Sequence, residues 1–88
     1  MDINDAKILA EQFLLMNIPA PASGDHFAIV GDGIVEEDGW YFPFQTKKYI
    51  NTGNLQFSVV GNWPIFVTRD GRIGQRRFGM PFVEDNKI

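Results

Sequence analysis

The residues able to do chemistry in this chain are few, and their spacing decides what they can do. Nucleophilic catalysis needs a nucleophile, a base and a group that orients the base. The chain has a single His, His26, with Ser23 shortly before it in the stretch PASGD. The two lie three residues apart in a loop rich in small residues, so the pair reads as a surface His. Glu36, Glu37 and Asp38 are consecutive carboxylates. Three acids in one tight turn are solvated, whereas general acid–base work asks for a shielded pair with divergent environments. Asp32-Gly33 and Asp38-Gly39 hint at a calcium loop, but the bidentate acid that closes such a loop is missing. Gly31-Asp32-Gly33 lacks the third glycine and the prompt helix of a dinucleotide fingerprint, because Ile34-Val35 continue as strand. Cys is absent, which excludes disulfides and thiolate metal sites. These patterns predict a protein that is not an enzyme and that needs no cofactor or metal.

What remains is recognition. Two charge clusters stand out, the acidic Glu36-Glu37-Asp38 and the basic set Arg69, Arg72, Arg76 and Arg77. The net charge is −3 and the pI about 4.9, without the basic stripe that a nucleic-acid binder carries. Either cluster suits a protein partner of opposite charge. Trp40 and Trp63 are first of all packing residues, but an exposed Trp63 would anchor a partner, since Trp is enriched at interface hot spots. The candidate partner-binding residues are therefore Glu36, Glu37, Asp38, Trp63, Arg69 and Arg72.

The elements that must position them follow from periodicity. Eighty-eight residues form one domain, residues 1–88, and the hydrophobic fraction of 44% supplies a single core. Ala6, Leu9, Ala10, Phe13 and Met16 recur at helical spacing over residues 4–16, and Ile8, Leu14 and Leu15 widen that apolar face. Asp2 or Asn4 caps the start, Asn17 in the left-handed conformation ends the helix, and Pro19 and Pro21 forbid its continuation. Residues 26–36 alternate as a strand, with Phe27, Ile29 and Val35 on one face and Gly31 and Gly33 as weak points. Asp38-Gly39 signals a hairpin. Residues 40–46 return with Trp40, Phe42 and Phe44 on one face, and Pro43 marks an edge or a bulge. Lys47–Ile50 extend that strand or open a short helix, and Thr52-Gly53-Asn54 turns. Leu55–Val60 are strand-like, Pro64–Thr68 form a buried strand, and Arg69–Arg72 make a second hairpin turn into residues 72–77. The fold class is α+β, an N-terminal helix packed on an antiparallel meander of three to five strands. Leu9 and Phe13 are expected to sit over the Trp40, Phe42, Phe44 row.

The N-terminus, Met1-Asp2-Ile3-Asn4-Asp5, is acidic where a leader would be basic. The apolar run Phe13–Met16 is far short of the ~18 residues of a membrane span. A cytoplasmic location without membrane contact is the expectation. A free strand edge beside Pro43 leaves both monomer and homodimer open.

Gly39-Trp40-Tyr41-Phe42, Tyr49-Ile50-x-Thr52-Gly53, Gly61-Asn62-x-Pro64-Ile65-x-Val67 and Asp70-Gly71 follow the leading helix in that order. In this combination the chain resembles the bacterial immunity protein 35 family, which includes YrhB-like proteins, over residues 4–74. The resemblance implies an α+β immunity protein. Such a protein binds a cognate bacterial toxin in the cytoplasm of the producing cell and blocks its active site or its access to substrate. A second role implied by the YrhB-like relatives is a small chaperone-like or general protein-binding module. The family continues beyond a Gly-x-x-x-Pro segment into a C-terminal helix, which here would follow Gly79-Met80-Pro81.

Overall fold

The computed structural model describes residues 1–80, so the question of a C-terminal helix lies outside the described residues. The chain opens with helix α1, Ile3–Asn17. Asp2 is its cap, the carboxylate accepting the Asp5 N–H at 2.9 Å. Ala6, Ala10, Phe13 and Leu14 form the buried stripe, at the spacing that brings residues of successive turns onto one face. Of the residues expected from the sequence to widen this apolar face, only Leu14 is covered. Ile8, Leu15 and Met16 are exposed, because the helix meets a sheet on one side only. Asn17 also departs from expectation, since no residue other than Gly has a positive φ among those described. The helix closes instead through two bonds to its own last carbonyls. The Ile18 N–H donates to Leu14 O at 3.3 Å and the Asn17 side-chain amide donates to Phe13 O at 3.3 Å.

Six short antiparallel strands follow among the described residues. A four-stranded sheet has the order β2 (Ile34–Glu36), β3 (Gly39–Phe42), β5 (Ile65–Thr68), β6 (Ile73–Gln75), and a two-stranded sheet pairs β1 (Phe27–Ile29) with β4 (Phe44–Thr46). The α+β class is as expected, but the strand expected over residues 26–36 is two strands in two sheets. Gly31 and Gly33, at φ +74 and +107, turn the chain between them through conformations that only glycine adopts readily. On the facing arm the ladder breaks at Pro43, which has no N–H to give. Its carbonyl still accepts the Val30 N–H at 2.8 Å. The arms 27–36 and 39–46 are thus one long hairpin bent in the middle.

The β2–β3 turn is not built on Asp-Gly. Glu36 pairs with Gly39, so Glu37 and Asp38 are its two central residues. Gly39 serves a different purpose. A Cβ there would collide with the Val67 carbonyl and press on the Phe66 ring. The β5–β6 connection is the expected turn over Arg69–Arg72, with Gly71 at φ +90 and the Gly71 N–H on Thr68 O at 3.0 Å.

Lys47–Thr52 form a short helix, α2, capped by the Thr46 hydroxyl, which accepts the Tyr49 N–H at 3.1 Å. The strand expected over residues 55–60 is absent. Leu55–Phe57 make a single 3₁₀ turn. The Asn54 side chain accepts the Gln56 N–H at 3.0 Å, a local bond that competes with an extended ladder.

Trp40, Phe42 and Phe44 lie under α1 as expected, joined by Ile65 and Val67 and flanked by Leu9, Phe27 and Ile29. Burying each large apolar side chain here contributes about 1.5–3 kcal/mol. Among the described residues no helix is long and apolar enough to cross a membrane.

Candidate functional site

Register places the two hairpin turns side by side. In the β3–β5 pair, Gly39 stands opposite Thr68, so the turn that precedes β3 and the turn that follows β5 lie at one end of the sheet. The acidic and basic clusters, separate in sequence, therefore form one polar rim. The Arg69 N–H donates to Asp38 O at 3.2 Å, and its guanidinium donates to Glu36 O at 2.7 Å. The same guanidinium lies 4.6 Å from the Trp40 ring centroid, a favourable cation–aromatic arrangement. Asp38 is paired with Arg76, Nη1 to Oδ2 at 2.8 Å.

Arg76 lies on the face of the sheet turned away from α1. It stacks 4.5 Å from the Phe66 centroid and 5.4 Å from that of Tyr41, and its Nε donates to Met80 O. Phe78 closes on Tyr41 with centroids 4.4 Å apart. This guanidinium thus ties the acidic turn, the outer aromatic face and the residues after β6 together. The sequence did not single out this role for Arg76. Alternation could have found it, since Arg76 shares parity with Gly74, which pairs with Phe66.

The second turn is organised by Thr68. Its hydroxyl donates to Asp70 Oδ1 at 2.5 Å and accepts the Arg72 N–H at 2.8 Å. Arg72 Nε lies 3.3 Å from the same Asp70 oxygen. Hydrogen bonds from Thr68 and then from Arg72 hold the Asp70 carboxyl below the usual carboxylate range, because they favour its charged form.

Of the six candidate residues, five meet at this rim: Glu36, Glu37, Asp38, Arg69 and Arg72. The pairing leaves their charges unequal. Asp38 faces Arg76, and Arg69 is held against Trp40 and main-chain oxygens. Neither the Glu36 nor the Glu37 carboxylate has a salt-bridge or hydrogen-bond partner among the described residues, and both are exposed. Trp63 does not join them. It precedes β5, at the end remote from the turns, and is 54% exposed, while its carbonyl accepts the Gln75 amide at 2.9 Å.

His26 and Ser23 are both exposed and no hydrogen bond joins their side chains among the described residues. No group of three or more His, Asp or Glu placed to hold a metal ion occurs among the described residues. No protein-family model, no curated protein and no solved structure matches this chain.

Proposed function

We propose that this chain is an immunity-type protein that neutralises a cognate bacterial toxin in the cytoplasm by covering its active site or substrate entry. The observation that carries the reading is the rim of paired hairpin turns, which presents Glu36 and Glu37 as unpaired carboxylates on a support fixed by Arg69 and Arg76. Loops held by a rigid sheet are well placed to bind, because little order is lost on association. The sequence resemblance over residues 4–74 supports the same reading. In this mechanism the two glutamates enter a basic cleft of the toxin, steer its approach and exclude its substrate.

The test begins with capture of a stoichiometric partner by the tagged chain from its native cell, with identification by mass spectrometry. The Glu36→Lys, Glu37→Lys double variant is then expected to bind that partner roughly a hundredfold more weakly, given two charge reversals of about 1.4 kcal/mol each. Unchanged affinity would remove the rim from the mechanism.

A chaperone-like module is the second reading, favoured by the exposure of Leu15 (86%), Leu55 (74%) and Val60 (87%). Under that reading the chain suppresses aggregation of many unfolded clients, and the glutamate reversals leave this activity intact.

A further inference from the structure

The far end of α1 carries a second surface, independent of the hairpin rim. Met1 lies beside Gly71 in the basic turn, a Cβ on that glycine falling 3.3 Å from the Met1 Cε. Fifteen helical residues separate that end from the other, about 22 Å at the usual rise. At the remote end a groove of about 340 Å³ runs between α1 and β1. Leu14, Leu15 and Ile18 form its helical wall, and Phe27, Ala28 and Ile29 form the opposite wall.

The chemistry of that second wall is specific. In an antiparallel pair, alternate residues direct both main-chain groups at the neighbouring strand. His26 accepts from the Lys47 N–H and Val30 donates to Pro43 O, so His26, Ala28 and Val30 face β4. The N–H and C=O groups of Phe27 and Ile29 therefore point away from β4, into the edge of the groove. Neither residue's main chain has another partner among the described residues. Donors and acceptors repeated at two-residue spacing along a strand match the backbone of another extended chain and little else. The rim is charged at two places, with Glu11 on the helix and Lys47 beyond the start of β1. Neither has a charged partner among the described residues.

We infer that this groove is a strand-addition site, which takes an extended peptide segment of a partner protein as an extra strand on the free edge of β1. The segment pairs its backbone with Phe27 and Ile29. It seats alternate apolar side chains against Leu14, Leu15 and Ile18, and places a basic side chain toward Glu11 and an acidic one toward Lys47. Pairing through main-chain groups supplies affinity, while the apolar wall and the two charges supply selection.

The test uses the 88-residue chain and random dodecapeptides displayed on phage as the probe. Selected peptides are expected to alternate apolar and polar residues. On binding they slow amide exchange at Phe27 and Ile29 roughly tenfold or more, because those amides enter a ladder. Leu15→Glu, at an exposed position that leaves the core untouched, is expected to weaken binding roughly tenfold. Lys47→Glu shifts selection toward peptides with a basic residue at the matching position. The inference is overturned if no peptide is selected, or if the selected peptides perturb residues 36–38 and 69–72 and leave β1 unchanged. It is overturned equally if concentrated protein alone protects Phe27 and Ile29 as a dimer, which would make a second copy the occupant. The Glu36→Lys, Glu37→Lys experiment reads the rim and leaves β1 untouched, so failure at one surface is distinguishable from failure at the other.

Discussion

At Gly39 the sheet has no room for a side chain. The backbone of β3 passes so close to the Val67 carbonyl and the Phe66 ring that the space is closed from two sides. Gly39→Ala should cost about 1–3 kcal/mol, the range for overpacking a tight interior, and a urea titration would register it as a lower midpoint with an unchanged slope. Thr46 is the opposite case, a small polar group doing two jobs. Its hydroxyl donates to Phe57 O at 2.7 Å while accepting the Tyr49 N–H, and it is buried. Thr46→Val keeps the shape and removes both bonds, so a loss of about 1–2 kcal/mol is expected in the same titration. Two carboxylates give the fold a dependence on pH. The His26 N–H, ahead of the Lys48 N–H, lowers the pKa of Asp25, and Thr68 and Arg72 lower that of Asp70. A depressed folded-state pKa means that the contribution is present above the unfolded value of about 3.9 and is lost as pH falls through the folded value. Thermal melts of Asp70→Asn against the parent should therefore differ at pH 7 and converge as the pH falls through the depressed folded-state value. A difference that persists in acid would assign the effect to something other than the charge. At this scale the sequence was informative about residue type and silent about pairing. It marked Glu36, Glu37, Asp38, Arg69 and Arg72 as candidates, but which of these charges stay free depends on contacts between residues far apart in the chain, such as Asp38 with Arg76.

Among the elements, those with strong periodicity were legible. The helix, the Trp40, Phe42, Phe44 face and the turn over Arg69–Arg72 all follow from local spacing. Leu55–Val60 were misread as strand because propensity rewards their side chains, whereas tertiary bonds decide their path. Gln45 acts there like a missing strand neighbour. Its amide donates to Val59 O at 2.6 Å and its carbonyl accepts the Val59 N–H at 2.9 Å, so one side chain satisfies both main-chain groups of a residue in a loop. Gln45→Ala should free this loop while leaving the sheets in place. Hydrogen exchange at Val59 is expected to rise well above that of β3 and β5 amides, and limited proteolysis should cut first between residues 53 and 62. Protection unchanged at Val59 would show that other contacts hold the loop. The breaks at Gly31–Gly33 and Pro43 were visible as weak points, but their consequence was not. Two blemishes on facing strands act together only once the register is known.

Across the whole molecule, one guanidinium links three regions. Arg76 binds Asp38 in the first turn, stacks on Phe66 and holds the segment that ends at Met80. Its side chain is 14% exposed, so it sits between core and rim. Arg76→Met retains the apolar stem and removes the charge and the donors. Destabilisation of roughly 1–2 kcal/mol is expected, with a larger relative effect on partner affinity, because the acidic turn loses its anchor. Stability and affinity falling in step would instead mark Arg76 as a packing residue only. The long hairpin holds a last consequence. Between the pairs Ile29–Phe44 and Ile34–Tyr41 one arm has four residues, 30–33, and the other has two, 42–43, so the difference is two. An even offset keeps Phe27 and Ile29 on the same side as Trp40 and Phe44, whereas an odd one would turn β1 inside out. Length at this corner is thus constrained by parity: an insertion or deletion of one residue within 30–33 is expected to lower the urea midpoint more than a change of two residues.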